Sequence, residues 1–226
     1  SIKLVTVAPE LKHGMDLIKH LSKQGVVASI GHSNATFEQS NQAIDAGVKH
    51  CTHLFNAMSS FHHRAPGIPG SVLLNDKVMA ELIVDGVHLH PGAVKLALKA
   101  KGLDNLMLVT DSMRARCLGE GEFDLGGQGV KVTGMSARIM PSKKNSSQIC
   151  SDQPGVLAGS VLSQYQALQL FIEQTDAGLA EAVQLASENP AKQLRIFDKY
   201  GSLAVGKVAD MVVLSDTLKV LATYNY

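Results

Sequence analysis

Two histidines stand where their side chains could do chemistry together. The stretches Gly31-His32-Ser33-Asn34-Ala35-Thr36 and Cys51-Thr52-His53-Leu54-Phe55-Asn56-Ala57-Met58 each place an imidazole after an apolar, β-branched run, residues 26–30 in one case and 48–52 in the other. Each histidine therefore falls where a buried strand ends. Neutral imidazoles that converge on one point suit zinc, iron and related ions. A lone histidine at a strand end is more often a polar residue on a rim. Two on successive strands, each followed by small or amide side chains, favour a site.

The elements that must position them are a strand, a helix and a second strand. Thr36 with Gln39 predicts a capping box that opens the helix, and Gly47 predicts its stop. So short a connection makes the strands parallel and brings both carboxyl ends to one edge of the sheet. The same unit recurs along the chain. Residues 2–8 read as a strand ending at Pro9-Glu10, after which Met15, Ile18 and Leu21 recur at helical spacing up to Gly25. Residues 55–70, with Asn56, His62, His63, Arg64 and several Pro and Gly, read as a functional loop. A strand at 78–84 delivers Asp85-Gly86-Val87-His88, Pro91 opens a helix closed by Gly102, and a strand at 106–110 ends at Asp111.

Five strand ends thus carry Glu10, His32, His53, the Asp85/His88 pair and Asp111. A β/α barrel keeps its active site at the carboxyl ends of its strands. The expectation is an α/β fold, a (β/α)8 TIM-type barrel; a doubly wound sheet is the alternative, but its glycine-rich dinucleotide fingerprint is absent. Such a barrel takes about 250 residues, and five clear units plus a partial sixth are visible here, so the barrel is expected to be incomplete at its amino-terminal side.

From Ser112 the texture changes. Residues 120–128 and 130–132 predict a hairpin, and 141–154 form a polar, turn-rich segment without apolar periodicity. Val161, Tyr165, Leu168 and Ile172 mark the apolar face of a helix, and two short helices flank Asn189-Pro190. Residues 203–207 and 209–214 read as short strands, giving a partial β-sandwich subdomain at 199–226 beside a barrel portion at 1–198.

A net charge of +1 argues against a nucleic acid or a membrane surface held by bulk electrostatics. The 3 cysteines, Cys51, Cys117 and Cys150, have neither an even count nor metal-finger spacing, so a reducing cytoplasm is the expected setting. No apolar run approaches bilayer length and no signal peptide is evident.

The histidine stretches, together with Asp85-Gly86-Val87-His88, Val109-Thr110-Asp111-Ser112-Met113 and Leu157-Ala158-Gly159-Ser160 in this order, resemble the N-acetylglucosamine-6-phosphate deacetylase family. The segment Gly201-Ser202-Leu203-Ala204-Val205-Gly206-Lys207-Val208-Ala209-Asp210 is similar to the closing segment of the amidohydrolase superfamily. The resemblance implies His32 and His53 as ligands of a divalent ion, zinc or iron, and Asp111 as the carboxylate that activates the metal's water and then protonates the leaving amine. It implies that His88 polarises the acetamide carbonyl, that Asn56, Ala57, Leu157, Ala158 and Gly159 hold the sugar phosphate, and that Arg64 reaches the phosphate in a neighbouring subunit of a homodimer. The implied reaction is hydrolysis of N-acetylglucosamine 6-phosphate to glucosamine 6-phosphate and acetate. The family's metal-binding glutamate lies in an upstream His-Leu-Glu-Gly-Pro motif that this sequence lacks, and Glu10 matches a different strand end.

Plain readings compete with these roles. Asp111 could be a helix cap or a rim ion-pair partner, and Arg64 a solvated loop charge. His62, His63, His13, His20, His50 and His90 are read as surface or structural, with His62 or His63 as possible lining of the site. Another amidohydrolase, acting on a cyclic amide or an N-acyl amino acid, and a catalytically dead remnant that binds sugar phosphate are the rival functions.

Overall fold

The computed structural model describes residues 2–140 and 155–225, so the polar segment at 141–154 lies outside the described residues. Its centre is a five-stranded sheet of β1 (Leu4–Val7), β2 (Val27–Ile30), β3 (Val48–Cys51), β4 (Met79–Leu82) and β5 (Leu106–Leu108), in that spatial order. Every neighbouring pair is parallel. Strand order that follows chain order without reversal is the barrel pattern; a doubly wound sheet would change direction at a switch point. The sheet is a partial barrel, with both faces of its middle strands covered. Ala28, Ser29 and Ile30 are all fully buried, as are Ala80 and Leu82.

Helices α1 (Gly14–Lys23), α2 (Phe37–Ala46), α3 (Gly67–Leu73), α4 (Pro91–Lys101) and α5 (Gln164–Gln174) pack successively against one another outside the sheet. The capping signals act as read. Thr36 Oγ1 accepts from Gln39 N–H while the Gln39 side chain accepts from Thr36 N–H, and Gly47 ends α2 at φ 126°. Pro91 opens α4 and Gly102 closes it. Three details differ from the sequence reading. The loop expected at 55–70 ends early, because α3 begins at Gly67 and buries Ile68 and Val72. The buried face of α5 is Ala167, Leu168 and Phe171, one notch from the predicted stripe, and Val161 precedes the helix. The two short helices around Asn189-Pro190 are continuous: α6 (Leu179–Val183) passes through a π turn into α7 (Asn189–Gln193). Buried Asn189 fixes that junction by donating to the carbonyls of Leu103 and Leu106 at 2.8 and 2.7 Å.

Between β5 and α5 stands a three-stranded antiparallel sheet of β6 (Gly121–Leu125), β7 (Gln128–Thr133) and β8 (Ser136–Ile139). The predicted hairpin is its first half, turned by Gly126-Gly127 at φ 62° and 87°, values that glycine adopts without strain. A small core of Met113, Ala115, Val130, Val132, Ala137 and Ala158 joins this sheet to the segment after β5. At the carboxyl end β9 (Met211–Leu214) pairs antiparallel with β10 (Val220–Tyr224). The strand expected at 203–207 is a turn instead, with Lys207 Nζ 3.4 Å from the centre of the Phe197 ring. Among the described residues no helix is long and apolar enough to cross a membrane.

Candidate active site

The carboxyl ends of β2 and β3 bring His32 and His53 together. Their Nε2 atoms lie 2.9 Å apart, with the rings edge to face. Two metal–nitrogen bonds of about 2.0–2.1 Å at a tetrahedral angle set nitrogens roughly 3.3 Å apart, so the pair stands close to the spacing of two ligands on one ion. Burial, and then the charge of His32, push the His53 pKa down, which favours the neutral imidazole that a metal needs. Among the described residues, no group of three or more His, Cys, Asp or Glu forms a metal cage. The donors present fit two of the three protein ligands of an open site.

Asp111 sits past the end of β5, exposed, with its charge acting on His53 to favour the protonated ring. Its carbonyl accepts from Ser160 N–H at 2.8 Å, and Ser160 Oγ donates to the Thr110 carbonyl. The Leu157-Ala158-Gly159 turn is thereby stitched to Asp111 on one side and to β8 on the other, where Ala158 N–H donates to the Ala137 carbonyl at 3.0 Å. Gly159 is needed there: its φ is 58°, and an added Cβ would lie 3.1 Å from the Asp111 carbonyl oxygen.

The loops after β2 and β3 are laced together. Ser33 N–H donates to the Ala57 carbonyl at 3.2 Å, and Ser59 N–H to the Ser33 carbonyl at 3.1 Å. Asn56 Nδ2 points back to the carbonyls of His53 and Leu54, both at 3.3 Å. Glu10 is a clamp on these loops, since Ser33 Oγ and Asn34 N–H each donate to one of its oxygens at 2.6 Å.

His88 is the fixed member of a dyad. Its Nδ1 lies 2.6 Å from Asp85 Oδ2, while Asp85 Oδ1 accepts from the backbone N–H groups of Val87 and His88 at 2.8 and 2.7 Å. Burial pushes the Asp85 pKa up, but the hydrogen bonds from His88 and Val87 outweigh it and hold the carboxyl below its usual range. Arg64 stands apart on the exposed loop, its Nη1 2.7 Å from His63 Nε2. Among the described residues no hydrogen bond or ion pair joins it to His32 or His53.

Among the described residues eight non-glycine residues have positive φ, and five of them, His32, His53, Phe55, Ala57 and Asp111, lie on these strand-end loops. Strain gathered at one sheet edge marks a site whose geometry the surrounding structure enforces. The sequence reading does not single out Glu81, whose Oε1 lies 2.8 Å from Nε2 of His50, the histidine read as surface or structural. Its signal was a carboxylate in mid-strand between Ala80 and Leu82, where a charge demands a partner.

Comparison with known proteins agrees with this architecture. The amidohydrolase family pattern matches residues 5–226. N-acetylglucosamine-6-phosphate deacetylase of Bacillus subtilis is 45% identical over 222 residues, 98% of this chain and 53% of that protein. The crystal structure of N-acetylglucosamine-6-phosphate deacetylase from Thermotoga maritima superimposes with a TM-score of 0.87 at 38% identity, covering 99% of this chain and 58% of that one. A mutant N-acetyl-D-glucosamine-6-phosphate deacetylase from Mycobacterium smegmatis, in complex with N-acetyl-D-glucosamine-6-phosphate, gives 0.89 at 33% identity, covering 99% and 56%. The chain spans about half the length of the curated relatives it matches. By its sequence pattern and its partial barrel, the chain belongs to the amidohydrolase family.

Proposed function

We propose that the protein to which this chain belongs hydrolyses the acetamide of N-acetylglucosamine 6-phosphate, releasing acetate and glucosamine 6-phosphate. The observation that carries this reading is the facing pair His32 Nε2 and His53 Nε2, 2.9 Å apart, with the charge of Asp111 acting on one of them. The names of the relatives supply the substrate class.

His32 and His53 would hold a divalent ion, which when bound would supply a Lewis acid and lower the pKa of water at the site to about 7. Asp111 accepts the proton of the attacking water and delivers it to the leaving amine. His88, oriented through Nδ1 by Asp85, polarises the acetamide carbonyl from its other ring nitrogen. Asn56, Ala57 and the Leu157-Ala158-Gly159 turn hold the sugar phosphate. Arg64 serves the phosphate in a second subunit of a homodimer, a role supported by its exposure on the loop. The β9–β10 hairpin belongs to a small β-sandwich at 199–226, beside the barrel portion at 1–198; its exposed Val212 and Leu221, at 59% and 65%, are what such a sandwich covers.

The test is acetate release from N-acetylglucosamine 6-phosphate with zinc or ferrous ion added to metal-free protein. Metal-dependent release that disappears in His32→Ala and His53→Ala supports the reading. One observation favours a second reading: the described residues contain no complete metal cage. On that reading this chain alone binds the sugar phosphate without turnover, and saturating metal gives ligand binding but no acetate.

A further inference from the structure

β4 carries Glu81 in the middle of a buried strand, and each oxygen of its carboxylate has a partner. Oε1 lies 2.8 Å from His50 Nε2, and Oε2 accepts from His53 N–H at 3.1 Å. Behind His50, Gln193 Nε2 on α7 donates to the Lys49 carbonyl at 3.0 Å and lies 3.3 Å from His50 Nδ1. A carbonyl only accepts, so the Lys49 contact fixes which end of the Gln193 amide faces β3. His50 Nδ1 must then accept, and His50 Nε2 carries the hydrogen that goes to Glu81. Every donor from α7 to the His53 amide meets an acceptor, in one arrangement only.

We propose that Glu81, locked by His50 and Gln193, is the positioning residue that sets His53 as a metal ligand. The inference rests on the metal reading given above. Metal-binding histidines are ordinarily oriented through the ring nitrogen that faces away from the metal. Here, among the described residues, the buried His53 Nδ1 has no hydrogen-bond partner. The carboxylate instead grips the backbone nitrogen of the same residue, whose φ of 31° is one that a non-glycine residue adopts only when its surroundings impose it. Glu81 therefore orients the ligand from the main chain, and Gln193 ties that orientation to the helices outside the sheet.

Zinc affinity of the full chain, by chelator competition, tests this together with amide hydrogen exchange at His53. Glu81→Gln keeps the shape but turns a donor toward either His50 Nε2–H or His53 N–H. It is expected to weaken zinc binding about 10–100-fold and to speed exchange of the His53 amide. Leu185→Ala, a fully buried core change outside the network, is the control: it lowers thermal stability and leaves zinc affinity unchanged. If Glu81→Gln does not fold, Gln193→Leu, which removes only the outermost bonds, must show a smaller loss in the same direction. Wild-type affinity in the Glu81 or Gln193 variant, or an equal loss in Leu185→Ala, overturns the proposal while leaving the metal reading intact. A wild-type chain that binds zinc no better than the His32→Ala/His53→Ala double variant removes the metal reading, and this proposal with it.

Discussion

Asp85 Oδ2 holds His88 Nδ1 at 2.6 Å, and both side chains are almost wholly buried. The hydrogen bonds that depress the Asp85 pKa exist only in the folded chain, so they link stability to pH. The folded value lies below the unfolded one of about 3.9. The contribution is therefore fully present above about pH 4 and is lost as pH falls through the folded pKa. Thermal midpoints from pH 7 down to pH 3 should fall more steeply in wild type than in Asp85→Asn, which starts lower at neutral pH. Parallel curves across the acid limb would remove Asp85 as the source of that dependence.

Asp111 is exposed at the strand edge and its φ is 47°, so its side chain is placed for contact with solvent or substrate rather than for packing. Asp111→Asn keeps the size and loses the ability to take a proton. Acetate release is expected to fall about 10²–10⁴-fold, with KM and retained metal unchanged. A loss below about tenfold would mean that another group serves as base.

Arg64 separates a phosphate-binding role from a solvated loop charge. Hydrogen bonds to charged groups contribute about 1.5–3 kcal/mol, so Arg64→Ala should raise KM for the phosphorylated sugar roughly tenfold or more. The unphosphorylated sugar should be affected little. An equal effect on both substrates would sink the phosphate assignment and leave Arg64 a loop residue that contacts His63.

How much of this could be read from the chain depends on how local each signal is. The capping box at Thr36, the stop at Gly47 and the placement of His32, His53 and Asp111 at strand ends follow from neighbouring residues, and all appear in the fold. The short helix at 67–73 was hidden because Pro66, Gly67, Pro69 and Gly70 read as loop punctuation, whereas tertiary burial of Ile68 and Val72 sustains a helix. The strand expected at 203–207 failed for the opposite reason, since among the described residues its alternation has no neighbouring strand to pair with and Lys207 turns back onto Phe197. The Glu81–His50–Gln193 network joins three separate elements, and no local pattern announces the 143 positions between Gln193 and His50. Partners at that distance are set by topology, which sequence periodicity does not encode.

Gly31 tests how the two histidines are brought so near. A Cβ at this position would stand 2.8 Å from Thr52 Cβ and 3.1 Å from Thr6 Cγ2. Thr52 cannot simply swing away: its hydroxyl lies 2.6 Å from Ser29 Oγ and 2.9 Å from Thr6 Oγ1, and its N–H donates to the Ile30 carbonyl at 3.0 Å. The missing side chain is thus what lets the ends of β2 and β3 close up immediately before His32 and His53. Gly31→Ala overpacks this contact, at a cost of about 1–3 kcal/mol, which lowers the thermal midpoint by roughly 2–4 °C for each kcal/mol. Because the strain falls between the two ligands, zinc affinity should drop as well, even at temperatures far below the midpoint. A Gly31→Ala protein with a lowered midpoint and unchanged zinc affinity would show that the histidines tolerate a wider separation, and the close approach would then be a packing feature rather than a condition of metal binding.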